Sequence, residues 1–404
     1  MASIFDYCYC SELEGVIDVR TRETISRWAY YIFIVFAMLN ASLENVALTN
    51  FENSSAHVLF QTVAIVAAIV CALCNGYTVS SFTRTFVLLL IGLASYVSGG
   101  NSNLFLLFCA AILINKNQVE KVLRVVFLER LLVFLCVVSA SIIGILPNTA
   151  MSISKYGYDA VGYSMGYAHA NIFAAQVGVL VLMNLAIHRR KLSFTRISFL
   201  TFVAFGTYVL ARSRTTLGLT LMALFFSWIL RQPNVQTIWR KMINWIAPII
   251  GLLVVLMMRL YVVKGLGSPL VSFINDKMFN GRIGLSMMYL KTYSVTLFGQ
   301  HLDLSLISNN TYYALDNGYV ILLMYYGCIG LMAYLFIVQR LLISLKQQNE
   351  LILALLTVIT VVWSLYEGMM VSLTGNFVFL FVCYSARRET FTSIQKKQEG
   401  QLSV

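Results

Sequence analysis

Between Lys264 and Asp316 the sequence reads KGLGSPLVSFINDKMFNGRIGLSMMYLKTYSVTLFGQHLDLSLISNNTYYALD. This stretch holds Lys264, Lys277, Arg282, Lys291, His301, Asp303 and Asp316 among glycines, asparagines and tyrosines. It is the one long polar interruption in a chain otherwise built of apolar runs joined by short polar hinges. If the apolar runs are membrane helices, it is the one loop large enough to build a site outside the bilayer.

Composition decides what the apolar runs are. The 404 residues are 59% hydrophobic and 11% charged, with a mean hydropathy of +0.78. A soluble domain carries about 25% charged residues, and no soluble core of this size hides so much apolar sequence. A bilayer does, at about 20 apolar residues per span, and four prolines leave long helices unbroken. The expected fold is therefore all-α: a polytopic transmembrane protein of about 12 spans. They fall near 28–48, 57–75, 85–99, 103–115, 129–146, 167–187, 197–211, 216–230, 246–263, 317–339, 351–371 and 374–386. The expected organisation is a cytoplasmic tail (1–27), one multi-span domain (28–386) with a large outer loop (264–316) between spans 9 and 10, and a second cytoplasmic tail (387–404). No cleavable leader is expected, because acidic residues and no short apolar core open the chain.

Placing both termini in the cytoplasm puts 21 of the 29 basic residues on inner segments, as the positive-inside rule requires. This reading absorbs the net charge of +12 without nucleic acid. The basic residues left outside then become informative. Arg212 and Arg214 flank Ser213 in a hinge so short that both guanidiniums lie at a span end. They either reach lipid phosphates or form an anion site, and two in one tight hinge favour the anion site. Arg282 lies in the large loop. Glu367, in WSLYEGMMVSLTGN, lies near an outer span end, as a partner to an arginine or as a catalytic group. His169 and Asn171, in GYSMGYAHANIFAAQV, open the sixth span, where they cap the helix or line a cavity. Glu129 is expected to pair with its neighbour Arg130.

Inside the loop, NGRIGLSMMYLKTYSVTLFG is expected to be helical up to Gly299. Arg282, Ser286, Tyr289 and Tyr293 share one face and Ile283, Met287 and Leu290 another, which suits a helix on the membrane surface or packed over a cavity. The following QHLDLSLISNNTYYALDN has the tyrosine, asparagine and aspartate content of a carbohydrate-facing surface. No phosphate loop, GxSxG elbow or HExxH motif is present. Cys8, Cys10, Cys71 and Cys74 form half-sites at most, with no second pair to complete a metal centre.

Four segments taken in order resemble the O-antigen polymerase and ligase family. They are His169-Ala170-Asn171; Ser213-Arg214-Thr215; Asn280-Gly281-Arg282 running to Leu297-Phe298-Gly299; and Asp316-Asn317-Gly318-Tyr319 followed by Tyr326-Gly327-Cys328-Ile329-Gly330. The resemblance covers roughly residues 160–380 and is closest to the Wzy-type polymerases of O-antigen, capsule or exopolysaccharide assembly. The ligase branch carries a histidine before the asparagine, where this chain has Asp316. The Phe-Gly turn runs on to Gln300 and His301 rather than to a second glycine.

The resemblance implies a glycosyltransferase of the bacterial inner membrane, with its active site on the outer face and no metal or cofactor. A glycan on undecaprenyl diphosphate would be transferred, with inversion, to a sugar hydroxyl of another lipid-linked repeat unit. Its implied partners are that lipid-linked oligosaccharide, membrane lipid, and a flippase and chain-length regulator of the same pathway. Arginine forks suit a leaving diphosphate, which makes Arg214, Arg282 and Arg212 the candidates. The acceptor hydroxyl needs a base within reach. Asp316 and His301 are the candidates, with Glu367 behind them; Asp316 is equally suited to cap the tenth span. His169, Asn171, Asn317 and Tyr319 are expected to line the cavity. A ligase acting on another acceptor and a lipid-linked oligosaccharide flippase are the alternatives.

Overall fold

The computed structural model describes residues 19–48, 51–75, 79–155, 158–264, 267–279, 281–303 and 315–385. It is 78% helical with almost no sheet. The α-helices are α1 (Val19–Leu43), α2 (Ser55–Cys74), α3 (Val79–Gly99), α4 (Asn103–Leu113), α5 (Val119–Ile142), α6 (Ala170–His188), α7 (Phe194–Ala211), α8 (Arg214–Ile229), α9 (Pro233–Met242), α10 (Ile246–Lys264), α11 (Pro269–Phe273), α12 (Arg282–Thr292), α13 (Gly318–Gln347) and α14 (Leu351–Trp363). One antiparallel hairpin, β1 (Ala150–Lys155) and β2 (Tyr158–Tyr163), pairs Ala150 with Tyr163 through to Lys155 with Tyr158. It amends the all-helical expectation.

Eleven of the twelve apolar stretches fall on α-helices. Five helical stretches are long and apolar enough to cross a membrane: Ser55–Cys74, Lys116–Ile142, Ala170–His188, Phe194–Ala211 and Gly318–Gln347. A bent pair, Pro233–Trp245 with Pro248–Val254, would make a sixth. The other apolar helices are shorter. α4 has 11 residues, about 16 Å of rise, and every residue from Leu106 to Ala111 is buried. The stretch expected as the last span is a 3-10 helix, Phe377–Ser385. Nine residues at about 2 Å each fall well short of the ~30 Å hydrocarbon core, so this segment packs inside the bundle instead. Large apolar side chains cover the outside, among them Phe199, Phe202 and Val209 on α7. Such a surface is stable against lipid rather than water.

The helix starts follow capping chemistry. Ser54 accepts from His57 N–H, Ser193 from Arg196 N–H, and His169 Nδ1 from Asn171 N–H. Each side chain satisfies a backbone donor that the first turn leaves unpaired.

Ion pairs tie the bundle at both ends. At one end, Arg189 follows α6 and its side chain is 3% exposed. Its Nε donates to Glu350 Oε2 at 2.7 Å, its other arm meets Glu120, and Arg190 joins Glu350 at 2.9 Å. Burial opposes charge on Arg189, but the hydrogen bonds to Glu120 and Glu350 outweigh it and hold the guanidinium protonated beyond its ordinary range. For Glu350 burial again opposes charge, and Arg189 and Arg190 pull its carboxyl below the ordinary value. In sequence these two arginines count only among the 21 basic residues of the inner segments. Farther along α5, Arg130 hydrogen-bonds Gln176 of α6 rather than closing a pair with Glu129, whose oxygens accept no hydrogen bond among the described residues. Neighbouring helix positions point about 100° apart, so a contact across to α6 replaces the expected local one.

α13 is two helices joined at Gly327, whose backbone (φ 73°, ψ −177°) leaves the helical region. The peptide of residues 296–300 fills the break. Cys328 N–H donates to Thr296 O at 3.0 Å, Ile329 N–H to Leu297 O at 3.0 Å, and Gln300 N–H to Met324 O at 3.1 Å. Ser95 Oγ of α3 donates to Tyr326 O at 3.2 Å. Irregular backbone at membrane depth is tolerated only where protein satisfies it, and this arrangement does so.

Candidate functional site at the Asp316 end of the bundle

The end opposite Arg189 is assembled from separate pieces of chain. Asn317 caps α13, its Oδ1 accepting from Tyr319 N–H at 3.0 Å and Val320 N–H at 3.2 Å. Gly318 N–H donates to Ser364 O at 2.7 Å, which ties the start of α13 to the end of α14. Beyond α14, Gly368 packs against the carbonyls of Leu315 and Asp316, so the Glu367 backbone runs alongside Asp316. Sequence reading left open whether Asp316 caps the helix. Asn317 does so, which leaves the Asp316 side chain for other work.

Arg282 is inserted between these carboxylates. Gly281 turns the chain at φ 83°, and Asn275 steadies the turn, its Oδ1 accepting from Gly284 N–H at 2.9 Å and its backbone carbonyl from Gly281 N–H at 2.8 Å. Arg282 is thus the first residue of α12 and is buried. Its Nη2 donates to Glu367 Oε1 at 2.9 Å. Its Nε lies 3.3 Å from Asp316 Oδ2, an ion-pair contact without hydrogen-bond alignment. Glu367's side chain is 8% exposed and Asp316's 20%. Phe279 stacks on Tyr366 with ring centroids 5.2 Å apart and planes 12° apart, clamping the segments that carry Arg282 and Glu367. The clamp and Asn275 escaped sequence reading; an aromatic beside each ionic residue was the available signal.

One expectation for the loop is corrected, and of the two placements open for its helix, on the surface or packed over a cavity, the second holds. α12 ends at Thr292 rather than Gly299. The backbone of residues 296–300 is committed to the break in α13 and cannot also be helical. Nor does α12 lie on a surface: Arg282, Ser286 and Tyr289 on one face and Ile283 and Met287 on the other are all buried. Ile283 and Ser286 line a narrow cavity of about 30 Å³ with Val254, Met257, Asn317 and Val320. The tyrosine- and asparagine-rich residues 304–314, Cys8 and Cys10 lie outside the described residues.

The remaining candidates fall elsewhere on this end. Arg212 adopts φ 55°, closes α7, and lays its guanidinium over the Tyr208 ring at 5.9 Å. Ser213 is buried and donates from Oγ to Thr216 Oγ1 at 3.1 Å, and Arg214 opens α8 exposed. A Cβ on Gly178 of α6 would meet Trp363 at 2.3 Å and Thr216 at 3.1 Å. The start of α8 and the end of α14 therefore meet on α6 about 12 Å from its first residue, which brings the arginine hinge close to the segment that carries Glu367. His169 is a helix cap, with Asn171 in the first turn. Tyr319, expected to line the cavity, is fully buried and donates from its hydroxyl to Val361 O at 2.8 Å, because its place in the first turn of α13 faces α14. His301 lies against Gly100, at the α3–α4 turn. Its neighbour Gln300 is anchored at Met324, about 10 Å along α13 from Asn317.

The site therefore joins Arg282, Asp316 and Glu367 directly, with the Arg212–Arg214 hinge as a second cationic element and His301 apart. No family model matches this chain, nor does any curated protein or solved structure.

Proposed function

We propose that this chain is a polymerase of a bacterial surface polysaccharide, transferring a glycan from undecaprenyl diphosphate to a sugar hydroxyl of another lipid-linked repeat unit. The observation that carries the reading is the buried Arg282 held between Asp316 and Glu367. Three segments far apart in sequence converge on a partly exposed carboxylate with a fixed cation behind it. Two of the segments behind the resemblance also form one unit, since Leu297-Phe298-Gly299 docks into the break at Tyr326-Gly327-Cys328-Ile329.

The geometry reassigns roles. Two carboxylates already compensate Arg282, leaving the trio a net negative charge that repels a diphosphate. Arg282 is better suited as the positioning residue that orients Asp316. Asp316 is the base: it takes the proton of the acceptor hydroxyl as that oxygen bonds to the anomeric carbon. The bond from that carbon to the diphosphate breaks, and the leaving lipid diphosphate carries away the electron pair. Arg214, exposed at the start of α8, and Arg212 beside it suit that developing charge, and electrostatic stabilisation of this kind is a large catalytic term. Lys116, Arg190, Lys191 and Arg240 belong to segments at the Arg189 end, which the positive-inside rule makes cytoplasmic. The Asp316 end then faces outward.

The test is complementation in the native host. Asp316→Asn and Arg214→Ala are expected to leave single repeat units or no polymer on a sizing gel, with protein still in the membrane. Normal polymer from both overturns the reading. Full-length polymer stranded on its lipid carrier would assign a ligase, and repeat units trapped on the cytoplasmic leaflet a flippase.

A further inference from the structure

A second polar cluster at the same end belongs to none of the roles above. Glu44 follows α1 and His57 lies in the first turn of α2. Asn40 Nδ2 donates to Glu44 Oε1 at 3.1 Å, and His57 Nδ1 lies 3.6 Å from the same oxygen. Gln61, one turn beyond His57, donates from Nε2 to Ser102 Oγ at 2.9 Å. Asn101 beside it accepts from the Tyr326 hydroxyl at 2.6 Å, at the break in α13. His301 lies against the adjoining Gly100. Three helices, the α3–α4 turn and His301 thus bring a carboxylate, two imidazoles, three amides and two hydroxyls together.

Packing alone does not account for the cluster. Asn40 is 2% exposed, yet its Oδ1 has no hydrogen-bond partner among the described residues. A buried acceptor left unpaired costs about 1–3 kcal/mol, and a ligand hydroxyl would remove that penalty. The Glu44 and His57 side chains stay 25% and 18% exposed, so the cluster is reachable from outside. Phe51 stands edge-on to His57 at 5.7 Å and supplies an apolar neighbour. The Glu44 carboxylate disfavours an anion, and among the described residues no three His, Cys, Asp or Glu side chains gather here to hold a metal ion. Interleaved donors and acceptors beside a ring suit a hydroxyl-rich ligand. Asn45 O accepts from Ala168 N–H at 3.1 Å, placing the cluster next to the His169–Asn171 helix start. Tyr326 lies nine residues along α13 from Asn317, about 13 Å of helical rise.

We infer that Asn40, Glu44, His57 and Asn101 form a saccharide subsite, holding through neutral hydroxyls the part of a lipid-linked oligosaccharide that lies away from the bond being made. This rests on the polymerase reading above. The subsite takes no part in proton transfer and acts through binding.

The probe is the oligosaccharide released by mild acid from the host's own lipid-linked repeat units. It is titrated against the full chain in nanodiscs and followed by saturation-transfer NMR. Wild type and Asp316→Asn are expected to bind alike. His57→Ala should weaken binding at least tenfold, and the isosteric Glu44→Gln at least threefold with thermal unfolding unchanged. Equal affinity in wild type, Glu44→Gln and His57→Ala overturns the subsite and leaves the polymerase reading standing. No binding by wild type also overturns it; if Asp316→Asn and Arg214→Ala cells then both make normal polymer, the polymerase reading falls as well.

Discussion

Arg282 offers the sharpest test, because its structural and functional consequences separate. Arg282→Met removes the cation shared by two carboxylates while keeping most of the side-chain volume. Asp316 is 20% exposed and resolvates easily, so losing its contact costs about 0–1 kcal/mol, as for an exposed pair. Glu367 is 8% exposed and loses the cation that Arg282 brings to it inside the bundle. Breaking a buried pair from one side costs about 3–5 kcal/mol, whereas replacing both partners by apolar groups is often neutral or stabilising. Arg282→Met should therefore lose about 3–5 kcal/mol of unfolding free energy in a denaturant titration of the purified protein in mixed micelles. The double variant Arg282→Met/Glu367→Leu should return to within about 1 kcal/mol of wild type by the same comparison. Neither variant should make polymer in the host, because Asp316 has lost the group that orients it. A stable double variant that makes polymer of normal length refutes the positioning role. A single variant as stable as wild type refutes the buried pair.

The break in α13 predicts its own sensitivity. A Cβ on Gly299 would lie 2.0 Å from Tyr325 O at φ 89°, whereas Gly144, at φ 81°, has nothing within 4 Å. Gly144→Ala should cost about 1–2 kcal/mol from left-handed strain alone. Gly299→Ala should add about 1–3 kcal/mol or more of overpacking, and membrane yield with thermal unfolding will compare them. At the opposite end, Glu350's depressed carboxyl value means its stabilisation is complete above the unfolded value of about 4.3 and is lost as the pH falls through the folded value below it. Wild-type stability in detergent should drop across that acid window, and Glu350→Gln should be weaker at neutral pH and flatter below it.

Much of the helical framework was legible in the sequence because apolar runs of about 20 residues have few other uses. The boundaries drifted at helix starts. α1 and α5 begin several residues before their apolar windows, since helices extend into polar flanks that hydropathy does not read. Phe377–Ser385 was misread for the converse reason: nine apolar residues look the same whether they cross lipid or fill a protein interior. In the site, Arg282 and Glu367 stood out as charges in apolar surroundings. What no local pattern revealed was their partnership across 85 residues. The pairing depends on Gly318 bonding Ser364 and Phe279 stacking on Tyr366, contacts that arise only once α12, α13 and α14 are packed. Asn317 took the cap that Asp316 was equally suited to take. Asparagine and aspartate are nearly equivalent caps, so the choice was made by Arg282, which offers a charge partner to the carboxylate alone.

The same break explains how a polar site can stay rigid at a bilayer boundary. A loop covering a cavity is usually expected to close over substrate, but this one is held at two points before substrate arrives. At Arg282 two carboxylates grip it, and at residues 296–300 its backbone completes the hydrogen bonding of a membrane helix. Releasing the second point would expose unpaired N–H and C=O groups of α13 in apolar surroundings, at several kcal/mol per group. The segment from Arg282 to Gln300 is therefore anchored at both of its ends rather than free to act as a lid. Its donors and charges are fixed in advance, the condition under which oriented groups stabilise developing charge without reorganising during reaction. Specificity must then lie in what approaches this frame: the Arg212–Arg214 hinge on one side and the Glu44–His57 cluster on the other.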